Sequence, residues 1–263
     1  MTIGLILSLA ANVVLFVALA AALARILRYR EARKQRGILR PWPIRRVEID
    51  QFDARFATTP LGPARDSEIR FIAGFRVTGG ISDFESWILC VLARQARRIF
   101  EFGTCTGKTT YLLAANAPAD ALVTTLTLMP EHQADYRAAT GDDPSALGSA
   151  VAESGFVDFF YKGAPEAAKI EQLLGDSKAF DETRFLGACD LVFVDGSHAR
   201  SYVESDSRKA LRMVRPGGIV FWHDYSGPRR TPGVFAALNA LAREIPLVHI
   251  GGTTLVAHRR PVA

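Results

Sequence analysis

Five short apolar runs recur along the chain, at 98 to 102 (RIFEF), 121 to 128 (ALVTTLTL), 157 to 161 (VDFFY), 190 to 195 (DLVFVD) and 218 to 222 (GIVFW). Between them lie stretches with helical periodicity at 107 to 117, 164 to 174, 199 to 214 and 232 to 244. Strands this apolar have both faces buried, and their alternation with helices calls for parallel neighbours joined by right-handed crossovers. The expected fold class is therefore α/β, a doubly wound and mainly parallel sheet. LVHI and TTLVAH flank Gly251 and Gly252 and add a C-terminal antiparallel hairpin. Ser82, with Glu85 three residues on, predicts a capping box for a helix that carries Trp87, Ile88, Val91 and Leu92 on one face.

The start of the chain differs from this pattern. Residues 3 to 27 are apolar except for Ser8, Asn12 and Arg25, enough for one transmembrane helix. A cleaved signal peptide would carry positive charge before its apolar run, whereas residues 1 to 4 have no charged side chain. Between residues 25 and 46 stand nine arginines and lysines against Glu31, so the rest of the chain carries a net −3 of the formal +5. The basic cluster marks its side as cytoplasmic and favours anionic lipid headgroups. The remainder has no basic excess of the kind nucleic acid would require. The expected organisation is a transmembrane helix at 3 to 27, a basic juxtamembrane segment and proline-containing linker at 28 to 66, and a folded domain at 67 to 263. The expected location is the cell inner membrane, single-pass, with that domain in the cytoplasm. The cysteines, Cys90, Cys105 and Cys189, are odd in number and far apart, and read as reduced structural thiols.

Open α/β sheets bind ligands beyond the carboxyl ends of their strands. After the first apolar run comes EFGTCTGKTT, whose glycines allow close approach of the backbone to a ligand. Its GKT ending resembles a P-loop, an alternative class of nucleotide-binding protein. That pattern needs four residues between its first glycine and the GK pair, and Gly103 leaves three. Glu101 beside the loop would also repel a triphosphate and suits a ligand bearing hydroxyls and an amine.

FEFGTCTGKTT, IEQLLGDSKAFD and DLVFVDGSHARSYVESDSRKALRMVRPGGIVFWHDY together resemble the class I S-adenosylmethionine-dependent methyltransferases, in particular bacterial sugar and small-molecule O-methyltransferases. The resemblance implies a Rossmann-like methyltransferase fold and S-adenosyl-L-methionine as cofactor. It places Glu101, Gly103, Thr104 and Gly107 around the methionine part and Asp176 and Ser177 at the adenine. Thr127 stands where an acidic residue commonly holds the ribose hydroxyls.

Asp195 and His198 follow the fourth run, and His223 and Asp224 end the fifth. By the resemblance, Asp195, His223 and Asp224 correspond to a divalent-metal set, with a histidine in place of one carboxylate. Imidazole suits zinc, iron or manganese better than magnesium. His198 stands where related enzymes carry a general base, and Asp195 is its expected catalytic companion. A histidine can take a hydroxyl proton at neutral pH. The expected activity is methyl transfer to a small-molecule, sugar or lipid-linked hydroxyl. The alternative of a different class is a catalytically silent domain that binds the cofactor or a partner.

Overall fold

The computed structural model describes residues 3 to 35 and 42 to 262, which fall into two units divided after Pro43. The first contains one helix, α1 (Ile3–Gln35), which runs past residue 27 into the basic segment. Within it, Ala10–Glu31 is long and apolar enough to cross a membrane, with a mean hydropathy of 2.2 and none of it buried. The linker residues 36 to 41 lie outside the described residues.

The second unit is an eight-stranded sheet made of β1 (Arg45–Val47), β2 (Arg98–Phe102), β3 (Leu122–Thr127), β4 (Ile170–Leu174), β5 (Cys189–Val194), β6 (Val214–Trp222), β7 (Val248–Ile250) and β8 (Val256–Arg259). Its spatial order is β1-β7-β8-β6-β5-β2-β3-β4, and only β8 runs antiparallel to its neighbours. The order reverses between β2 and β5, whose carboxyl ends meet at Phe102 and Val194. The longer helices of the unit are α2 (Asp83–Ala93), α3 (Lys108–Asn116), α4 (Pro144–Glu153), α5 (Arg200–Met213) and α6 (Pro232–Leu241). Ile99, Phe100, Val192, Phe193, Val220 and Phe221 are buried in adjacent pairs, as strands covered on both faces require.

The predicted capping box is present: Glu85 N donates to Ser82 Oγ, and the Glu85 carboxylate accepts from Ser82 N. The C-terminal hairpin also forms, as β7 and β8.

Two predicted elements differ. Residues 157 to 161 form a turn, not a strand, because they pack over the glycine loop: Phe160 N donates to Thr106 O at 2.8 Å, and the Tyr161 ring lies against Gly107. Residues 164 to 174, predicted helical, make one short turn (Pro165–Lys169) and then the edge strand β4. Parallel pairing to β3, from Val123 with Ile170 to Thr127 with Leu174, overrides the local helical spacing. Helix α4 stands in a stretch where no element is predicted, and Asp143 caps it through Ser145 N.

The compact unit begins at Ile44, ahead of Ser67. β1 pairs with β7, Phe56 packs edge-on against Trp87 at 5.1 Å, and Asp53 pairs with Arg55 and with Arg259 of β8. The proline-containing segment is thus sewn to the sheet edge by short elements that carry too few residues to show a period.

Candidate active site

The loop after β2 is shaped by contact with its neighbour. Gly103 has φ 97°, and a Cβ there would lie 2.0 Å from the carbonyl oxygen of Asp195. No side chain fits, so the turns after β2 and β5 touch through bare backbone. Gly107 caps α3 in the left-handed region at φ 75°. Lys108, the candidate P-loop lysine, donates its ammonium to the Ala73 carbonyl.

A cleft opens at the ends of β2, β3 and β4. Gly103, Thr127, Asp176 and Ser177 line it, together with Gly196 and Ser197 after β5. Phe102, Leu126 and Leu128 give it an apolar wall, beside Tyr136 and Tyr202 stacked 4.4 Å apart. Thr104 lies under the loop, its hydroxyl 2.7 Å from that of Thr125, and lines a second hollow that also reaches Asp195.

Glu101 is fully buried below the same loop. Its Oε2 accepts from Thr110 and, at 2.6 Å, from Thr125, while Oε1 has no partner. Burial pushes its carboxyl up to about 8 against those two hydrogen bonds.

The structure brings the four ionisable residues read from the sequence into one cluster. His223 Nδ1 lies 2.9 Å from Asp195 Oδ1 and 3.3 Å from Asp224 Oδ2, and His198 Nε2 lies 2.8 Å from the same Asp224 oxygen. Asp224 adopts φ 62°, a strained conformation for a non-glycine residue that turns its backbone back at the end of β6.

Burial disfavours charge throughout the cluster, and the pairing decides each sign. The imidazoles draw Asp224 well below the usual carboxylate range, and the surrounding carboxylates raise His223 well above the ordinary histidine value. The hydrogen bond to Asp224 raises His198. Asp195 is raised, because burial and the nearby Asp224 charge outweigh the help from His223. Donor atoms of Asp195, His223 and Asp224 all lie within 4.8 Å of one another, a spacing that could hold a cation.

Three further residues join the site without having been read as functional from the sequence. Glu85 lies behind the cluster, with Oε2 3.5 Å from His223 Nε2, and Thr254 N donates to its Oε1 at 2.6 Å. Burial opposes its charge, but His223, Ser82 and Thr254 hold its carboxyl down at about 2. The capping box accounts for Glu85 locally and hides this second role. Glu153, the last residue of α4, lines the cleft, and burial pushes it up to about 7. Asp206 of α5 also lines the cleft; its place in an amphipathic helix gives no sign of this.

A glycine turn at the strand-order reversal, an apolar-walled cleft with carboxylates and an adjacent acid and histidine cluster lie where sheets of the Rossmann-like kind bind ligands. Residues 100 to 225 match a family model described as a methyltransferase domain. Over that stretch the folded unit is similar to methyltransferase domains. No curated protein matches the chain.

Among solved structures, a Corynebacterium glutamicum protein is 13% identical with a TM-score of 0.50, over 70% of this chain and 83% of its own. The O-methyltransferase TomG from Streptomyces achromogenes, involved in tomaymycin synthesis and solved with SAM, is 20% identical over 69% of this chain and 82% of its own, with a TM-score of 0.46. An O-methyltransferase from Bacillus cereus in complex with SAH is 18% identical over 70% and 84%, with a TM-score of 0.46.

Proposed function

We propose that this domain methylates a hydroxyl of a small-molecule, sugar or lipid-linked acceptor, and that α1 anchors it to the inner membrane with the domain in the cytoplasm. The observation that carries the reading is His198 on Asp224, beside Asp195 and His223, at turns whose Gly196 and Ser197 also line the cofactor cleft.

The residues fit the cofactor. Gly103 removes the side chain that would block the strand-order reversal, and the cleft lining includes one buried carboxylate oxygen without a partner, Asp206 Oδ1. Gly103, Thr127, Asp176 and Ser177 would hold the nucleoside and amino-acid parts, with Thr104 and Gly107 shaping the loop. Glu101 would orient that loop from beneath through Thr125 and Thr110. Bound there, S-adenosylmethionine supplies a methyl group on a sulfonium.

His198, with Nε2 held by Asp224, would take the acceptor's hydroxyl proton at Nδ1 as that oxygen's bond to the methyl carbon forms and the methyl–sulfur bond breaks, leaving S-adenosylhomocysteine. Asp224 stabilises the imidazolium that results. Asp195, His223 and Asp224 would hold a divalent cation, which lowers the pKa of a bound hydroxyl. The fit is to a cation tolerant of nitrogen: His223 Nδ1 faces both carboxylates, while Nε2 faces Glu85, the arrangement that orients metal-binding imidazoles.

The length and composition of α1 support the anchor, and the arginines after it support the orientation. Thr127, in place of a carboxylate, favours a second reading, a catalytically silent domain that binds the cofactor or a partner.

Labelled methyl transfer to a membrane extract, compared between wild type and Asp195→Ala, separates the two. Transfer by wild type alone is the expected outcome. Binding of S-adenosylhomocysteine by wild type with no transfer to any extract overturns the enzyme reading. Protease treatment of right-side-out vesicles should leave the domain intact, and its digestion would overturn the orientation.

A further inference from the structure

Asp206 is 1% exposed, yet it helps line the cleft. Its Oδ2 accepts from Ser177 Oγ at 3.1 Å, while its Oδ1 has no partner. The neighbouring cations are engaged elsewhere. Lys209 donates to the carbonyls of Ser177, at 2.7 Å, Lys178, at 3.0 Å, and Phe180. Lys178 donates to Arg137 O, at 2.5 Å, and to Ser201 Oγ, at 2.7 Å. A buried carboxylate oxygen with no donor is costly, and a fold retains it where a ligand satisfies it.

The surroundings narrow the ligand group. Phe102, Leu126 and Leu128 make an apolar wall that suits a flat ring rather than a polyol, and the polar residues lining the same cleft include Asp176, Ser177 and Asp206. Ser177 gives its hydroxyl proton to Asp206, so that pair offers the ligand an acceptor, not a donor. Thr127, at the end of β3, is no partner of Asp206.

We propose that Asp206 is a specificity-determining residue of the cofactor site, accepting a hydrogen bond at Oδ1 from the exocyclic amine of the cofactor's purine, with Ser177 orienting the carboxyl. This rests on the S-adenosylmethionine reading of the cleft. Burial pushes the Asp206 carboxyl up to about 7. A donor from the ligand would draw it back toward the ionised form.

The test is calorimetry of the full chain in detergent with S-adenosylhomocysteine and with S-inosylhomocysteine, whose ring carries an oxo group where the first has the amine. Wild type should prefer the amino ligand by about tenfold or more, as expected when a buried acceptor faces an acceptor instead of a donor. Asp206→Asn can turn an amide N–H toward the ring, and its preference should fall to within about threefold. Ser177→Ala leaves Asp206 in place but loosens it, and should cut the preference about threefold; it serves if Asp206→Asn does not fold. A preference unchanged in these variants, with both ligands weakened equally or not at all, makes Asp206 merely structural and overturns the proposal. If wild type binds neither ligand, the cofactor reading itself has failed, an outcome distinguished by the absence of binding before any substitution.

Discussion

The two sides of the junction between β2 and β5 treat their carboxylates in opposite ways. On the cofactor side, Glu101 and Asp206 receive hydrogen bonds only from neutral hydroxyls, each keeps one oxygen without a partner, and burial pushes them up to about 8 and about 7. On the cluster side, Asp224 and Glu85 face imidazoles, and both are pulled down although they too are buried. The neutral donors do not offset the desolvation here, whereas the imidazoles do so for Asp224 and Glu85, though not for Asp195, which shares His223 with Asp224 and stays raised. Asp224 and Glu85 thus have imidazole partners in the free protein, whereas Glu101 and Asp206 each keep one oxygen without a partner.

The sharpest way to break this comparison is to disrupt the backbone contact that joins its halves. Gly103→Ala puts a methyl into the Asp195 carbonyl at a positive φ, and should cost about 4 kcal/mol or more or abolish the fold. A thermal melt and S-adenosylhomocysteine binding both like wild type would show that the turns can separate freely.

Next in size, His198→Ala should lower methyl transfer about a hundredfold or more while S-adenosylhomocysteine affinity stays within about threefold. Equal losses in rate and affinity would mean that the two sides are not functionally distinct.

Paired neutral substitutions give smaller effects and test the electrostatics directly. Glu85 has a folded pKa of about 2 against an ordinary value of 4.5, so its contribution is complete above about 4.5 and disappears as pH falls toward 2. Glu85→Gln should thus cost about 2 to 3 kcal/mol near pH 7 and little near pH 2. Glu101 has the opposite sign: its folded pKa of about 8 means the free protein loses stability as pH rises from about 4.5 to 8. Glu101→Gln should change stability by less than about 1 kcal/mol near pH 4 and become the more stable protein at higher pH. Denaturant melts across pH check both, and parallel pH profiles for the two variants would refute the asymmetry.

Much of this arrangement was legible in the sequence. The runs at 98 to 102, 121 to 128, 190 to 195 and 218 to 222 become β2, β3, β5 and β6, because strands buried on both faces must be apolar throughout. Asp195, His198, His223 and Asp224 could be gathered in advance because strand ends in a parallel sheet share one edge. β4 was illegible because an edge strand is only half buried, so IEQLL carries no run of large apolar residues. The turn at 157 to 161 was misleading because its aromatics pack on the glycine loop instead of in a sheet.

The sequence by itself determined the four central strands, the helices that follow β2, β5 and β6, the apolar N-terminal helix and the residues at those strand ends, all of which follow from local periodicity and connectivity. Only the tertiary structure decided that Glu85 backs His223, that Glu153 and Asp206 face the cleft, and which carboxylates have a cationic partner. Those facts depend on distances between residues far apart in the chain, and burial converts those distances into opposite pKa shifts for chemically identical groups.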